Sequence, residues 1–196
     1  FLLLHMHNEQ RKENKENYIK LDSFIYEKKE ILKNDFYKNN ITFIQKLFFF
    51  ETKYYWYCEK CKNGDNPIYF INCVLELELE IENKEIKIDD LLNNNLLQKK
   101  NCETCKTNNY LSITRFSSCP LFLIIVIKHN NKLKDIFKHT DIINLSNYIT
   151  KSNNNAKEYN LVSFIKNPPN EKENKNGIIY CKSPVNNEWY KYEGLK

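Results

Sequence analysis

The most regular hydrophobic pattern in the chain lies at residues 75–82. Leu75, Leu77, Leu79 and Ile81 alternate there with Glu76, Glu78, Glu80 and Glu82. Successive side chains of a strand point to opposite faces, so period two predicts a strand with an aliphatic face buried and a carboxylate face wet. With the apolar residues before it, the strand is expected to run over 68–82. An unbroken apolar run, Leu121 to Ile127, follows Pro120. A run without alternation predicts a central strand covered on both faces. Further strands are expected at 110–116, 159–165, 177–182 and 188–192, with a short apolar piece at Ile142, Ile143 and Leu145. Asp89 is expected to cap a helix through Leu97, with Leu91, Leu92, Leu96 and Leu97 facing inward. Upstream, Phe1 to His7 reads as part of an apolar helix. Residues 8–35 read as a loop and a helix carrying Ile19, Leu21, Phe24, Ile25 and Ile31. Ile41, Phe43, Ile44 and Leu47 to Phe49 form an apolar segment. Asn167-Pro168-Pro169 opens a long polar loop that ends near Asn176.

With 196 residues, 41% of them hydrophobic, the chain has material for one ordinary domain with a real core. No apolar run approaches the roughly 20 residues of a membrane-spanning helix, so no membrane association is expected. The composition is skewed: 30 Asn and 28 Lys stand against one Ala and two Arg. Asn and Lys runs therefore carry little functional information. The net charge of +5 comes from Lys residues interleaved with Glu, and Arg, the residue suited to bidentate phosphate and base contacts, is nearly missing. A solvated mixed-charge surface is expected rather than a nucleic-acid interface. Three scattered glycines exclude a glycine-rich phosphate loop. Phe1 to Met6 is too short for a signal peptide and lacks a basic leader, and the chain reads as cut at its N-terminus.

The seven cysteines carry the clearest chemistry. Cys58 and Cys61 form one Cys-x-x-Cys pair, Cys102 and Cys105 another, with 40 residues between them. Each spacing fits a knuckle whose tight turn points two thiolates at one ion. Two knuckles complete a closed tetrahedral site of structural type, which points to Zn²⁺ with no open position for catalysis. Disulfides are disfavoured by the odd count and the missing secretory signal. Cys73 and Cys119 read as core thiols. His5, His7, His129 and His139 have no metal-ligand spacing.

The order of these features resembles the ubiquitin-specific protease family of deubiquitinases. Phe1-Leu-Leu-Leu-His-Met-His7 resembles the helix following the family's Gln-Asp-Ala-x-Glu-Phe motif. Residues 44–61 resemble its phenylalanine-then-Cys-x-x-Cys segment, 70–81 its long Leu-x-Leu strand, and 88–92 the helix before the second pair. Cys119-Pro120-Leu-Phe-Leu123-Ile-Ile-Val-Ile127-Lys128 is similar to its Leu-Pro-x-x-Leu strand, with His129 and Asn130 in place of Arg and Phe. Tyr159-x-Leu161 and Trp189-Tyr-Lys-Tyr192-Glu193 resemble its late strands. The resemblance implies an α+β, papain-like cysteine protease fold of fingers, palm and thumb, with a mostly antiparallel sheet and zinc knuckles at the fingertips. It divides the chain into a remnant of thumb helices at about 1–40, fingers at about 41–118 and palm at about 119–196. The partner it implies is ubiquitin or a ubiquitinated protein, and the compartment is intracellular, cytoplasmic or nuclear.

The family's hydrolysis needs a Cys nucleophile, a His base and an Asp or Asn that orients the His. Its Asn-x-x-Cys-Tyr box does not occur in these 196 residues. Its Gly-His-Tyr motif aligns with Gly177-Ile178-Ile179-Tyr180, which puts Ile178 at the His position, and Glu193 stands at the acid position. An aliphatic side chain cannot carry a proton. Three readings follow: an inactive deubiquitinase fold that binds ubiquitin or a partner, an active thiol-dependent deubiquitinase with a truncated or erroneous sequence, and a zinc-ribbon module that binds nucleic acid or protein. The Glu row of 76–82 is a candidate for contacts with a basic partner.

Overall fold

The computed structural model describes Met6 and residues 42–79, 86–108, 110–129, 137–138, 141–150, 157–166 and 177–192. The helices expected before Ile41, the end of the Glu row at 80–82, the polar loop at 167–176 and Glu193 lie outside the described residues. In chain order the elements are α1 (Phe43–Phe48), β1 (Phe50–Cys58), β2 (Ile68–Asn72), β3 (Leu75–Leu79), β4 (Ile86–Lys87), α2 (Ile88–Leu96), β5 (Leu97–Lys100), β6 (Tyr110–Phe116), β7 (Ile125–His129), β8 (Phe137–Lys138), β9 (Ile142–Asn144), a 3-10 turn (Ser146–Tyr148), β10 (Glu158–Asn160), β11 (Ser163–Lys166), β12 (Ile178–Lys182) and β13 (Trp189–Tyr192). The pairing is mostly antiparallel. A four-stranded sheet runs β2-β1-β6-β5 and a three-stranded one β11-β12-β13, with β9 on β10. β3 on β7 and β4 on β8 are parallel.

The core follows the aliphatic pattern. Leu75, Leu77 and Leu79 turn inward from β3 while Glu76 and Glu78 stay exposed, as the alternation predicts. They pack with Ile88, Leu91, Leu92 and Leu96 of α2, Phe50, Phe116, Leu145 and Tyr148. The Phe50 and Phe116 rings lie 5.3 Å apart and are almost wholly buried. A smaller core gathers Ile44, Phe49, Ile71 and Cys73. Thr42 caps α1, its Oγ1 accepting the Gln45 N–H at 3.0 Å.

Four expectations need correction. The strand over 68–82 is two strands, broken at Cys73 and Val74, and β2 and β3 belong to different sheets. Odd-numbered residues point inward on both sides of the break, Ile71 and Cys73 into the smaller core and Leu75 to Leu79 into the larger. Period two therefore runs straight through the bend and hides it.

The run 121–127 is not a strand covered on both faces. Leu121 and Phe122 are 65% and 47% exposed and bend over α1, where the Phe122 N–H donates to the Leu47 carbonyl at 2.8 Å. β7 begins at Ile125 and turns Val126 outward, 41% exposed. The segment 159–165 splits likewise into β10 and β11 around Leu161 and Val162. Finally, Asp89 does not cap α2. Lys87 occupies that position without a side-chain bond, and Asp89 and Asp90 sit in the first turn, where negative charge suits the helix dipole. Leu97 leaves the helix and begins β5.

One side chain stands in for a strand. The Asn95 amide of α2 accepts the Glu78 N–H at 2.7 Å and donates to the Glu78 carbonyl at 2.9 Å. It thus satisfies both backbone groups of Glu78, as a neighbouring strand would. Glu76 of β3 is paired to Lys128 of the neighbouring β7 at 2.5 Å.

Candidate metal centre

The β1–β6 ribbon runs outward from the larger core. Phe50 and Phe116 anchor its base, and further out Lys53 to Tyr57 are only half-buried. Between the base and the tip, Ser112 is the one buried residue of β6. Cross-strand contacts support this stretch: the Trp56 and Tyr110 rings are 4.7 Å apart, and Ser112 Oγ donates to the Tyr54 hydroxyl at 3.1 Å.

At the tip the two Cys-x-x-Cys turns face each other. Cys58 Sγ lies 3.5 Å from Cys105 Sγ, and Cys61 Sγ lies 3.7 Å from Cys102 Sγ. All four sulfurs are within 4.8 Å of one another. A tetrahedral ion with bonds of about 2.3 Å to sulfur requires sulfurs about 3.8 Å apart, so the four residues fit such an ion. A disulfide would need about 2.0 Å, and all seven cysteines are free thiols. The sequence-predicted ligands Cys58, Cys61, Cys102 and Cys105 are thus brought together.

The two turns are built alike. Each is closed by the N–H of its first cysteine, donated to the carbonyl five residues on: Cys58 to Asn63 and Cys102 to Thr107, both at 2.8 Å. Each places the residue after its second cysteine in the left-handed region, Lys62 at φ 56° and Lys106 at φ 55°. In the first turn the positive φ thus falls on Lys62 and not on the glycine two residues on. Gly64 is needed for another reason: a Cβ there would lie 2.7 Å from the Trp56 carbonyl. Lys62, Asn63, Lys106 and Thr107 were not legible from the ligand spacing. The signal that could have found them is a repeat, Cys-Glu-x-Cys-Lys, at both 58–62 and 102–106.

Four sulfurs this close cannot all be anions without a cation among them, so their protons distribute unevenly. The Thr107 hydroxyl holds Cys105 down at about 6. The N–H of Cys105 lowers Cys102. For Cys61 the Asn63 N–H acts downward, but hydrogen bonding with Cys58, burial and the other two sulfurs push it up to about 11.

The remaining candidates are not assembled into a site. Ile178 opens β12 opposite Lys166 of β11, half-buried, with no proton-carrying group of its own. Cys73 is buried in the smaller core, and burial raises its thiol. Burial likewise raises Cys119, which packs against the larger core. Cys181 lies 3.5 Å from Ser163 Oγ on the β11–β12 ladder.

The described residues thus form a mostly antiparallel fold whose longest ribbon is rooted in an apolar core and tipped by paired cysteine knuckles. The family model for ubiquitin carboxyl-terminal hydrolase matches residues 1–196, and the chain belongs to that family. No curated protein matches it by sequence. Among solved structures it is similar to a chain of the yeast SAGA DUB module with an Sgf73 mutant, at 17% identity and a TM-score of 0.61, over 82% of this chain and 39% of that one. It is also similar to chains of the Ubp8/Sgf11/Sus1/Sgf73 module bound to ubiquitin aldehyde (17% identity, TM-score 0.57, 80% of this chain and 38% of that one) and of a Ubp8 variant module bound to monoubiquitin (15%, 0.55, 83% and 41%). At these identities the likeness is one of fold. The chain spans about two fifths of the length of these structural relatives. Among the described residues no helix is long and apolar enough to cross a membrane.

Proposed function

We propose that this chain is the fingers-and-palm part of a ubiquitin carboxyl-terminal hydrolase domain, that it recognises ubiquitin or a ubiquitinated protein, and that as written it does not hydrolyse the isopeptide bond. The observation that carries the reading is the combination of an assembled cysteine tip with Ile178 at the start of β12. The recognition scaffold is kept, and the position from which the family's base would act holds an aliphatic group. Without a base the attacking thiol is not activated, and general acid–base help is worth about 10²–10⁴ in rate.

In this reading residues at about 1–40 belong to the thumb, 41–118 to the fingers and 119–196 to the palm. The ion at the tip is Zn²⁺, held by Cys58, Cys61, Cys102 and Cys105. It supplies rigidity and takes no part in catalysis. Seven free thiols suit a reducing compartment, so the cytoplasm or nucleus is its place. The relatives solved with ubiquitin aldehyde and with monoubiquitin support ubiquitin as the ligand.

Titration of the intact protein with monoubiquitin, read by calorimetry, tests recognition. Turnover of a fluorogenic ubiquitin C-terminal amide tests hydrolysis. Saturable binding with no release of fluorophore is the expected outcome. Release above the uncatalysed rate would return the protein to the active enzymes, and failure to bind would remove ubiquitin as its ligand.

A further inference from the structure

The two knuckles share a backbone but are finished differently, and the difference is one hydroxyl. At the equivalent position of each turn, two residues after the second cysteine, stand Asn63 and Thr107. Each offers its backbone N–H to the second cysteine of its own turn. The Asn63 side chain then turns away, its Nδ2 reaching Thr104 Oγ1 of the opposite turn at 3.5 Å. The Thr107 side chain turns inward, with Oγ1 3.0 Å from Cys105 Sγ. A sulfur bound to a metal ion is a thiolate and has no proton to give. The hydroxyl is then the donor, and Cys105 receives both a backbone and a side-chain hydrogen bond. Thr107 is half-buried, so water competes only in part for that bond.

We propose that Thr107 is a positioning residue for the tip metal, and that its hydroxyl makes Cys102–Cys105 the tighter half of the site. The inference rests on the reading of the four sulfurs as a metal centre. A donor aimed at the thiolate fixes the direction in which Cys105 presents its lone pairs. Partners of this kind around metal ligands are typically worth 10–100-fold in affinity. The Cys58–Cys61 half lacks the added donor and opens first.

The test compares Thr107→Val, which keeps shape and loses the hydroxyl, Thr107→Ala, and Thr107→Ser, which keeps the hydroxyl and loses the methyl, in the intact protein. Zn²⁺ affinity is read by competition with a chromogenic chelator, and Co²⁺ loading by the sulfur-to-metal charge-transfer band. Thr107→Val and Thr107→Ala are expected to bind Zn²⁺ about 10-fold more weakly. Loss of the hydrogen bond also raises the energy of the sulfur electrons, so their Co²⁺ band moves to longer wavelength. Thr107→Ser is expected to match the wild type in both. A Thr107→Val protein with wild-type affinity and band position overturns the proposal. So does grouping of Thr107→Ser with Val and Ala, whether in affinity or in failure to fold, because the methyl would then carry the effect. Failure of Val and Ala to fold while Ser folds and binds supports it. A wild-type protein that binds neither ion removes the metal reading itself, an outcome distinct from all of these.

Discussion

Removing the metal is expected to melt the tip of the β1–β6 ribbon while the larger core stays folded. Beyond Thr52 the ribbon has little apolar burial of its own: Lys53 to Tyr57 and Tyr110 to Leu111 are half-exposed, and the buried side chains there are Cys58, Cys102 and Ser112. Structural Zn²⁺ binding is worth roughly 10–16 kcal/mol in small cysteine sites, and that energy enters folding wherever the apo site does not persist. Local opening is capped by global stability, about 5–15 kcal/mol for a domain. A loss of at least about 5 kcal/mol at the tip is therefore expected, more than about 10³-fold faster amide exchange. The perturbation is either a chelator or Cys61→Ser, which removes one ligand whose neighbours remain. The assay is hydrogen–deuterium exchange of the intact protein with peptide resolution. Amides of residues 53–58 and 110–114 should lose protection, while those of 75–79, bonded in the β3–β7 ladder over Leu77 and Leu92, should keep theirs. Full metal removal with unchanged protection at 53–58 would refute the reasoning, because cross-strand contacts such as Trp56 on Tyr110 would then suffice.

Two further outcomes follow from the geometry. Asn95→Leu deletes both bonds to the Glu78 backbone and a third to the Leu91 carbonyl, and should cost about 1–3 kcal/mol, read as a lower denaturant midpoint at unchanged slope. A change under 0.5 kcal/mol would mean that water replaces the clip at the exposed edge. Metal affinity should rise with pH, because an ion must displace the protons of the thiols it binds. Above about pH 6 Cys105 is already a thiolate, while Cys61, pushed up to about 11, still carries its proton at neutral pH. Below about pH 6 Cys105 takes up a proton as well, so a plot of log affinity against pH should steepen there, and a slope that does not change through pH 6 would contradict this prediction.

The sequence by itself determined features that depend on local periodicity or on covalent chemistry. Alternation fixed which face of residues 75–79 is buried, because a pleated strand leaves no other choice. The twin Cys-x-x-Cys spacings named the four cysteines whose sulfurs lie together, because a knuckle is a local turn whose two sulfurs converge wherever it sits. The ordered motifs pointed to the family that the match over 1–196 shows. Tertiary structure decided what depends on distant partners. The bend at Cys73 and Val74 is invisible to periodicity, because both halves bury odd-numbered residues, and only two separate cores distinguish them. The run 121–127 looked uniformly buried because its composition is uniform. Its division into a bend over α1 and a one-sided strand follows from where Leu47 and Leu75 offer backbone partners, to Phe122 and Ile124. The same holds at the tip. Spacing gives the four cysteines, but that Thr107 reaches a sulfur while Asn63 reaches the opposite turn is settled by how the two turns meet, 44 residues apart in the chain.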